Sequence, residues 1–131
     1  MVDFFLTTLT DPDMKSKATG FNRLYFATLY SWQGLRSSWA SEAAIRQEVI
    51  ALALLLPISL LVEVSAAERA LLVLSLFLVF IVELLNTGIE AVVDRIGSEY
   101  HELSGKAKDI GSAAVLASLI TTALVWFIIL Y

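Results

Sequence analysis

Residues 110–131 contain no charged side chain, and a run of that length decides the chain's solvent before it decides its fold. As a helix rising about 1.5 Å per residue it reaches roughly 33 Å, enough to cross a hydrocarbon core of about 30 Å. Residues 70–93 form a second apolar run, interrupted by Glu83, Asn86 and Glu90, and residues 49–62 form a shorter third. The third would be only about 21 Å long, so its helix must begin earlier, within residues 39–48, or be shielded by neighbours. Pro57 predicts a kink or a local break in it. Backbone polar groups in lipid must be satisfied within their own segment, so the runs predict helices. The expected fold class is all-α, with three transmembrane helices at about 43–63, 70–93 and 110–131.

Composition agrees: of 131 residues 58% are hydrophobic and 17% charged, with a mean hydropathy of +0.77, well above that of a soluble domain. A loose head at 1–20 is expected ahead of one membrane domain at 21–131. The first residues lack a basic n-region, so the spans themselves are expected to direct insertion. The chain has no cysteine, which excludes disulfides, thiolate catalysis and cysteine-held metal or iron–sulfur sites.

For a chain in lipid, the placement of Lys and Arg matters more than the net charge of −4. Lys15, Lys17, Arg23, Arg36 and Arg46 precede the first span, and Arg95, Lys106 and Lys108 lie between the second and third. Only Arg69 falls in the turn at 63–69 between the first two spans. The N-terminus is therefore expected in the cytoplasm and the C-terminus outside it.

Ahead of the spans, residues 21–39 predict a surface helix. Phe21, Leu24, Tyr25, Leu29, Trp32, Leu35 and Trp39 fall within an arc of about 140° at 100° per residue, with Arg23, Gln33 and Ser37 outside it. Trp and Tyr on such a stripe suit the headgroup level of a bilayer. A helix packed on the bundle would show the same stripe.

Chemistry concentrates on the second span. Glu83, Asn86, Glu90 and Asp94 share one helical face, and Glu83 lies about 20 Å from the start of the run at Ala70, inside the hydrocarbon on the cytoplasmic side. A carboxyl at that depth costs about 2.5–3.5 kcal/mol on insertion scales, so it needs a partner or a task. One reading makes Glu83 and Asn86 bond across helices merely to hold an oligomer together. The other makes the stripe a cleft in which a deep carboxylate accepts a proton from an alcohol and a shallower one holds a divalent cation. Mg²⁺ accepts one or two carboxylates alongside substrate phosphate oxygens. A polar loop expected at 97–111 adds His101, Ser104, Lys106, Lys108 and Asp109, with Lys108 the better phosphate partner. A solvated, positive-inside loop would look similar. Neither Gly-x-x-x-x-Gly-Lys-[Ser/Thr] nor Gly-x-Gly-x-x-Gly occurs.

At these residues the chain resembles the bacterial integral-membrane diacylglycerol kinases. Val82-Glu83-Leu84-Leu85-Asn86 running into Ile89-Glu90-Ala91-Val92-Val93-Asp94-Arg95 resembles that family's signature, and the stretch from Gly97 through His101 and Ser104 to Lys108-Asp109 continues it. A second block is Tyr30-Ser31-Trp32-x-Gly34-Leu35-Arg36 followed by Trp39, Glu42, Arg46 and Glu48. The resemblance covers residues 18–131. It implies a homotrimer of three-helix subunits, each with an N-terminal surface helix and with active sites formed between subunits. It implies ATP as donor, Mg²⁺ as metal and a membrane lipid as acceptor, with no nucleic-acid partner. It further implies Glu83 as catalytic base, Glu42 and Glu90 as metal carboxylates and Asn86 as an orienting residue. Arg23, Glu48, Lys108, Asp109 and Ser112 match family positions near nucleotide, phosphate or substrate, and Ser31 one near lipid or adenine. For Glu42 an i, i+4 ion pair with Arg46 is the plain structural alternative.

Three functions compete. The expected one is phosphorylation of diacylglycerol to phosphatidic acid at the bacterial inner membrane. A polyprenyl alcohol such as undecaprenol would use the same base and metals with another lipid groove. A non-enzymatic assembly or ion pathway would use the acidic stripe alone and has no need of Lys106 and Lys108.

Overall fold

The computed structural model describes residues 20–131. All regular structure among them is helical: α1 at Phe21–Ser41, α2 at Ala43–Leu61, α3 at Ala66–Ile96 and α4 at Glu102–Leu130. The head expected at 1–20 lies almost wholly outside the described residues. The chain divides into two units between Ser37 and Ser38, within α1.

In the first unit, no residue of α1 is buried, and Phe21, Leu24, Tyr25, Trp32 and Leu35 of the apolar stripe are exposed. Tyr25, Phe26 and Tyr30 form ring contacts with centroids 5.8 and 6.3 Å apart. An uncovered aromatic stripe is what a helix at headgroup level requires.

The second unit holds α2, α3 and α4, which are long and apolar enough to cross a membrane. α3 packs against both of the others. Its buried residues, Leu72, Ser75, Leu76, Val79, Glu83 and Asn86, recur every three or four positions and form one stripe. Opposite them α2 buries Ile45 and Ser59, and α4 buries Gly111 and Ser118. Small residues at these contacts let backbones approach where no hydrophobic effect drives association. The Thr122 hydroxyl donates to the Ser75 carbonyl at 3.0 Å and ties α4 to α3. A bond of that type in a membrane contributes about 0.6 kcal/mol on average.

The helix ends follow local chemistry. Glu42 alone, extended at φ −105° and ψ 121°, separates α1 from α2. Arg46 donates to the Trp39 and Ala40 carbonyls at 2.9 and 3.4 Å, satisfying the orphan C-terminal carbonyls of α1. It forms no ion pair with Glu42, so the i, i+4 account of Glu42 is set aside. α2 begins at Ala43 and runs unbroken through Pro57, although the Ala53 carbonyl there loses its usual donor. α3 opens on a capping box: the Ser65 hydroxyl accepts from Glu68 N at 3.3 Å while the Glu68 carboxylate accepts from Ser65 N at 2.8 Å. Arg69 donates to the Leu60 and Val62 carbonyls and so closes the end of α2.

The expected loop at 97–111 is shorter in the structure. α4 begins at Glu102, leaving 97–101 as the connection and placing Ser104, Lys106, Lys108 and Asp109 on helix. His101 is the N-cap: its Nδ1 accepts from Leu103 N at 3.2 Å.

Candidate active site

α3 carries the deep acidic stripe because its inward face must continue past the apolar Leu72 and Val79 with the same period. Glu83 and Asn86 occupy the next inward positions and are 7% and 8% exposed, so both are buried. The Glu83 carboxylate has no hydrogen-bond partner among the described residues. It is therefore not spent as glue within the chain. Glu48, Glu90 and Glu42 all lie within electrostatic reach of it, in that order of strength. Glu48 comes from α2, Glu90 from α3 and Glu42 from the residue between α1 and α2.

Asn86 links the stripe internally: its Nδ2 donates to Glu90 Oε1 at 3.1 Å, one turn further along. Its Oδ1 is buried without a hydrogen-bond partner and faces α4 at Gly111. Two turns of α3 separate Glu83 from Glu90, about 10.5 Å along the axis, so the two carboxylates sit at different depths.

In the last turn of α3, Asp94 forms an ion pair of 2.5 Å with Lys108 of α4. Lys108, read from sequence as a phosphate partner, is thus also tied to the acidic stripe. Asp94, Gly97, Tyr100, His101, Ser104 and Lys108 line a cavity of about 210 Å³ there. Asp109 and Ser112 follow on α4 and are exposed.

Of the residues singled out from sequence, Glu83, Asn86 and Glu90 share one face of α3, Lys108 pairs with Asp94 further along it, and Glu42 and Glu48 lie within electrostatic reach of Glu83. Arg23 and Ser31 stand on α1 in the other unit; Arg23 is exposed, and the Ser31 hydroxyl donates to the Ala27 carbonyl at 2.9 Å. Gly111 was missed. A lone glycine inside a helical pattern is the signal that marks a close approach.

No group of three or more His, Asp or Glu side chains is placed to enclose a metal ion among the described residues. The donor set suits Mg²⁺, which takes one or two carboxylates and completes its shell with water and substrate phosphate.

A family described as prokaryotic diacylglycerol kinase matches residues 29–130. A diacylglycerol kinase of Escherichia coli (strain K12) is 55% identical over 118 residues, 90% of this chain and 97% of the relative. One from Pseudomonas aeruginosa is 46% identical over 112 residues, 86% of this chain and 91% of the relative. One from Haemophilus influenzae is 44% identical over 115 residues, 88% of this chain and 98% of the relative.

Proposed function

The chain belongs to the prokaryotic diacylglycerol kinase family and is a membrane-embedded lipid kinase, and from that premise we propose that it moves the γ-phosphoryl group of ATP onto the hydroxyl of diacylglycerol, giving phosphatidic acid. The observation that carries the site assignment is the buried Glu83 carboxylate, without a hydrogen-bond partner among the described residues, on the same face of α3 as Asn86 and Glu90. Glu83 accepts the proton of the lipid hydroxyl as the hydroxyl oxygen attacks the γ-phosphorus, and the bond to the β–γ bridging oxygen breaks to release ADP. Asn86 donates to Glu90 and fixes the direction of that carboxylate. Glu42 and Glu90 would hold Mg²⁺, which when bound neutralises charge on the transferring phosphoryl group. Glu48, Lys108 and Asp109 lie around the donor phosphates. Arg23, Ser31 and Ser112 keep the nucleotide and lipid roles that the resemblance assigns. Phosphoryl transfer asks little covalent chemistry of the protein, so positioning and charge compensation supply most of the acceleration.

The working unit proposed is a homotrimer in the bacterial inner membrane. Three spans have too few faces to enclose a dry site alone, and apolar residues remain exposed along all three. Its N-terminus is cytoplasmic, because eight of the nine basic residues fall on one side of the spans. The absence of cysteine makes this directly measurable. A single cysteine at Ala67 reacts with an impermeant thiol reagent in intact cells and one at Ser104 does not; the opposite labelling pattern reverses the orientation.

Substrate identity is tested with diacylglycerol and undecaprenol offered together with labelled ATP, the products being separated by thin-layer chromatography. Label appears in phosphatidic acid. Label chiefly in the polyprenyl product would move the chain to the polyprenyl alcohol kinases, and no labelled lipid would leave the ion-pathway reading standing.

A further inference from the structure

Most glycines in this chain meet open space: a Cβ built on Gly34, Gly88 or Gly97 finds nothing within 4 Å. Gly111 differs. A Cβ there would collide with Asn86 Oδ1 and would stand 3.2 Å from Asn86 Cγ and 3.8 Å from its Cβ. Gly111 is buried on α4, and Asn86 is buried on α3. The carboxamide therefore lies flat against the α4 backbone, in space that only glycine leaves.

The amide has two ends and one productive orientation. Nδ2 donates to Glu90 Oε1, an acceptor that cannot pair with Oδ1. Turned by 180°, the amide would set an oxygen against the carboxylate. Oδ1 must then face away, and that direction leads to Gly111, where it has no N–H or O–H partner. A Cα hydrogen of Gly111 occupies the line on which a side chain would grow, and such a hydrogen is a weak donor to a carbonyl-type oxygen. Fold stability does not by itself call for this arrangement, since an apolar pair at 86 and 111 would pack without leaving a buried acceptor unpaired.

We propose that Gly111 is a positioning residue for phosphoryl transfer: it makes room for the Asn86 carboxamide oxygen, so that the amide N–H is held on Glu90. The proposal rests on the reading of Glu90 and Asn86 as parts of the active site. Gly111 does not touch substrate; it acts through Asn86.

The test compares Gly111→Ala, Asn86→Ala and the double variant in the intact membrane protein. Asparagine-selective ¹⁵N labelling reports the contact itself, because the chain has only two asparagines, Asn22 and Asn86. In Gly111→Ala the Asn86 side-chain amide signal shifts, that of Asn22 stays, and kcat falls roughly 10- to 100-fold, the usual loss when a supporting partner of a site residue is removed. KM for ATP and for diacylglycerol changes little. In the Asn86→Ala background the same glycine change costs nothing further, because the oxygen it strikes is gone. If Gly111→Ala fails to fold, recovery of folded protein in the double variant identifies Asn86 as the group it strikes. An unshifted Asn86 signal, or losses that multiply in the double variant, overturns the proposal. A shifted signal with unchanged kcat also overturns it, and shows that the failure lies in the catalytic reading of Asn86 and Glu90 and not in the contact.

Discussion

Glu83→Gln lowers phosphoryl transfer by at least the 10²- to 10⁴-fold expected for loss of a general base, while the protein still inserts and unfolds as before. Glutamine keeps the shape and polarity of the side chain and removes the oxygen that can take a proton. The site can absorb the change structurally: Glu83 is 7% exposed and bonds to no other described side chain, so no hydrogen bond is broken. Replacing a buried carboxyl by a neutral amide of the same shape removes the need to keep a charge in the membrane, and thermal stability of the variant is expected to equal or exceed that of the parent. Two measurements check this, labelled-lipid turnover and the unfolding midpoint in detergent. Turnover near the parental rate sinks the assignment of Glu83 as base. A large fall in midpoint makes it structural.

Glu90→Gln has a different signature. Glutamine at 90 can still accept the Asn86 N–H through its amide oxygen, so the geometry of the pair survives while the charge goes. If Glu90 is a metal carboxylate, the Mg²⁺ concentration giving half-maximal activity rises by more than the 10- to 100-fold that loss of an outer-shell partner costs. Activity then returns in part at high Mg²⁺. Glu83→Gln should show no such displacement, because a base removes a proton at any metal concentration. An unchanged Mg²⁺ requirement in Glu90→Gln, with turnover reduced, would take Glu90 out of the metal set and leave it as an orienting group.

The comparison between sequence and structure turns on what hydropathy can register. It located the three spans, since an uncharged run as long as 110–131 is at home only where lipid replaces water. It does not register where the helices themselves end. α3 extends to Ala66 and Ile96, beyond the apolar run at 70–93, because helix outside the hydrocarbon need not be apolar. The Ser65-x-x-Glu68 capping box announced the earlier start. Likewise α4 starts at Glu102, eight residues before the uncharged run, behind a histidine cap.

The acidic stripe was legible because Glu83, Asn86 and Glu90 lie on one helix and their spacing alone sets their common face. Contacts between helices were not. The approach of Glu42 and Glu48 to Glu83, the Asp94–Lys108 pair and the seating of Asn86 on Gly111 depend on how α2 and α4 are phased against α3. That phasing comes from packing at Ser59, Ser75 and Ser118, small buried residues whose importance no periodicity advertises.

α3 is one uninterrupted rod of 31 residues, about 46 Å long, and a bilayer core measures about 30 Å. Glu83 and Glu90 are both mounted on it, so neither can change depth without the other. A thinner or thicker membrane is met by tilting the rod, which raises or lowers the reacting centre relative to the headgroups where donor and acceptor meet. If Glu83 is the base, turnover is then expected to vary with bilayer thickness, read out through the inclination of a single helix.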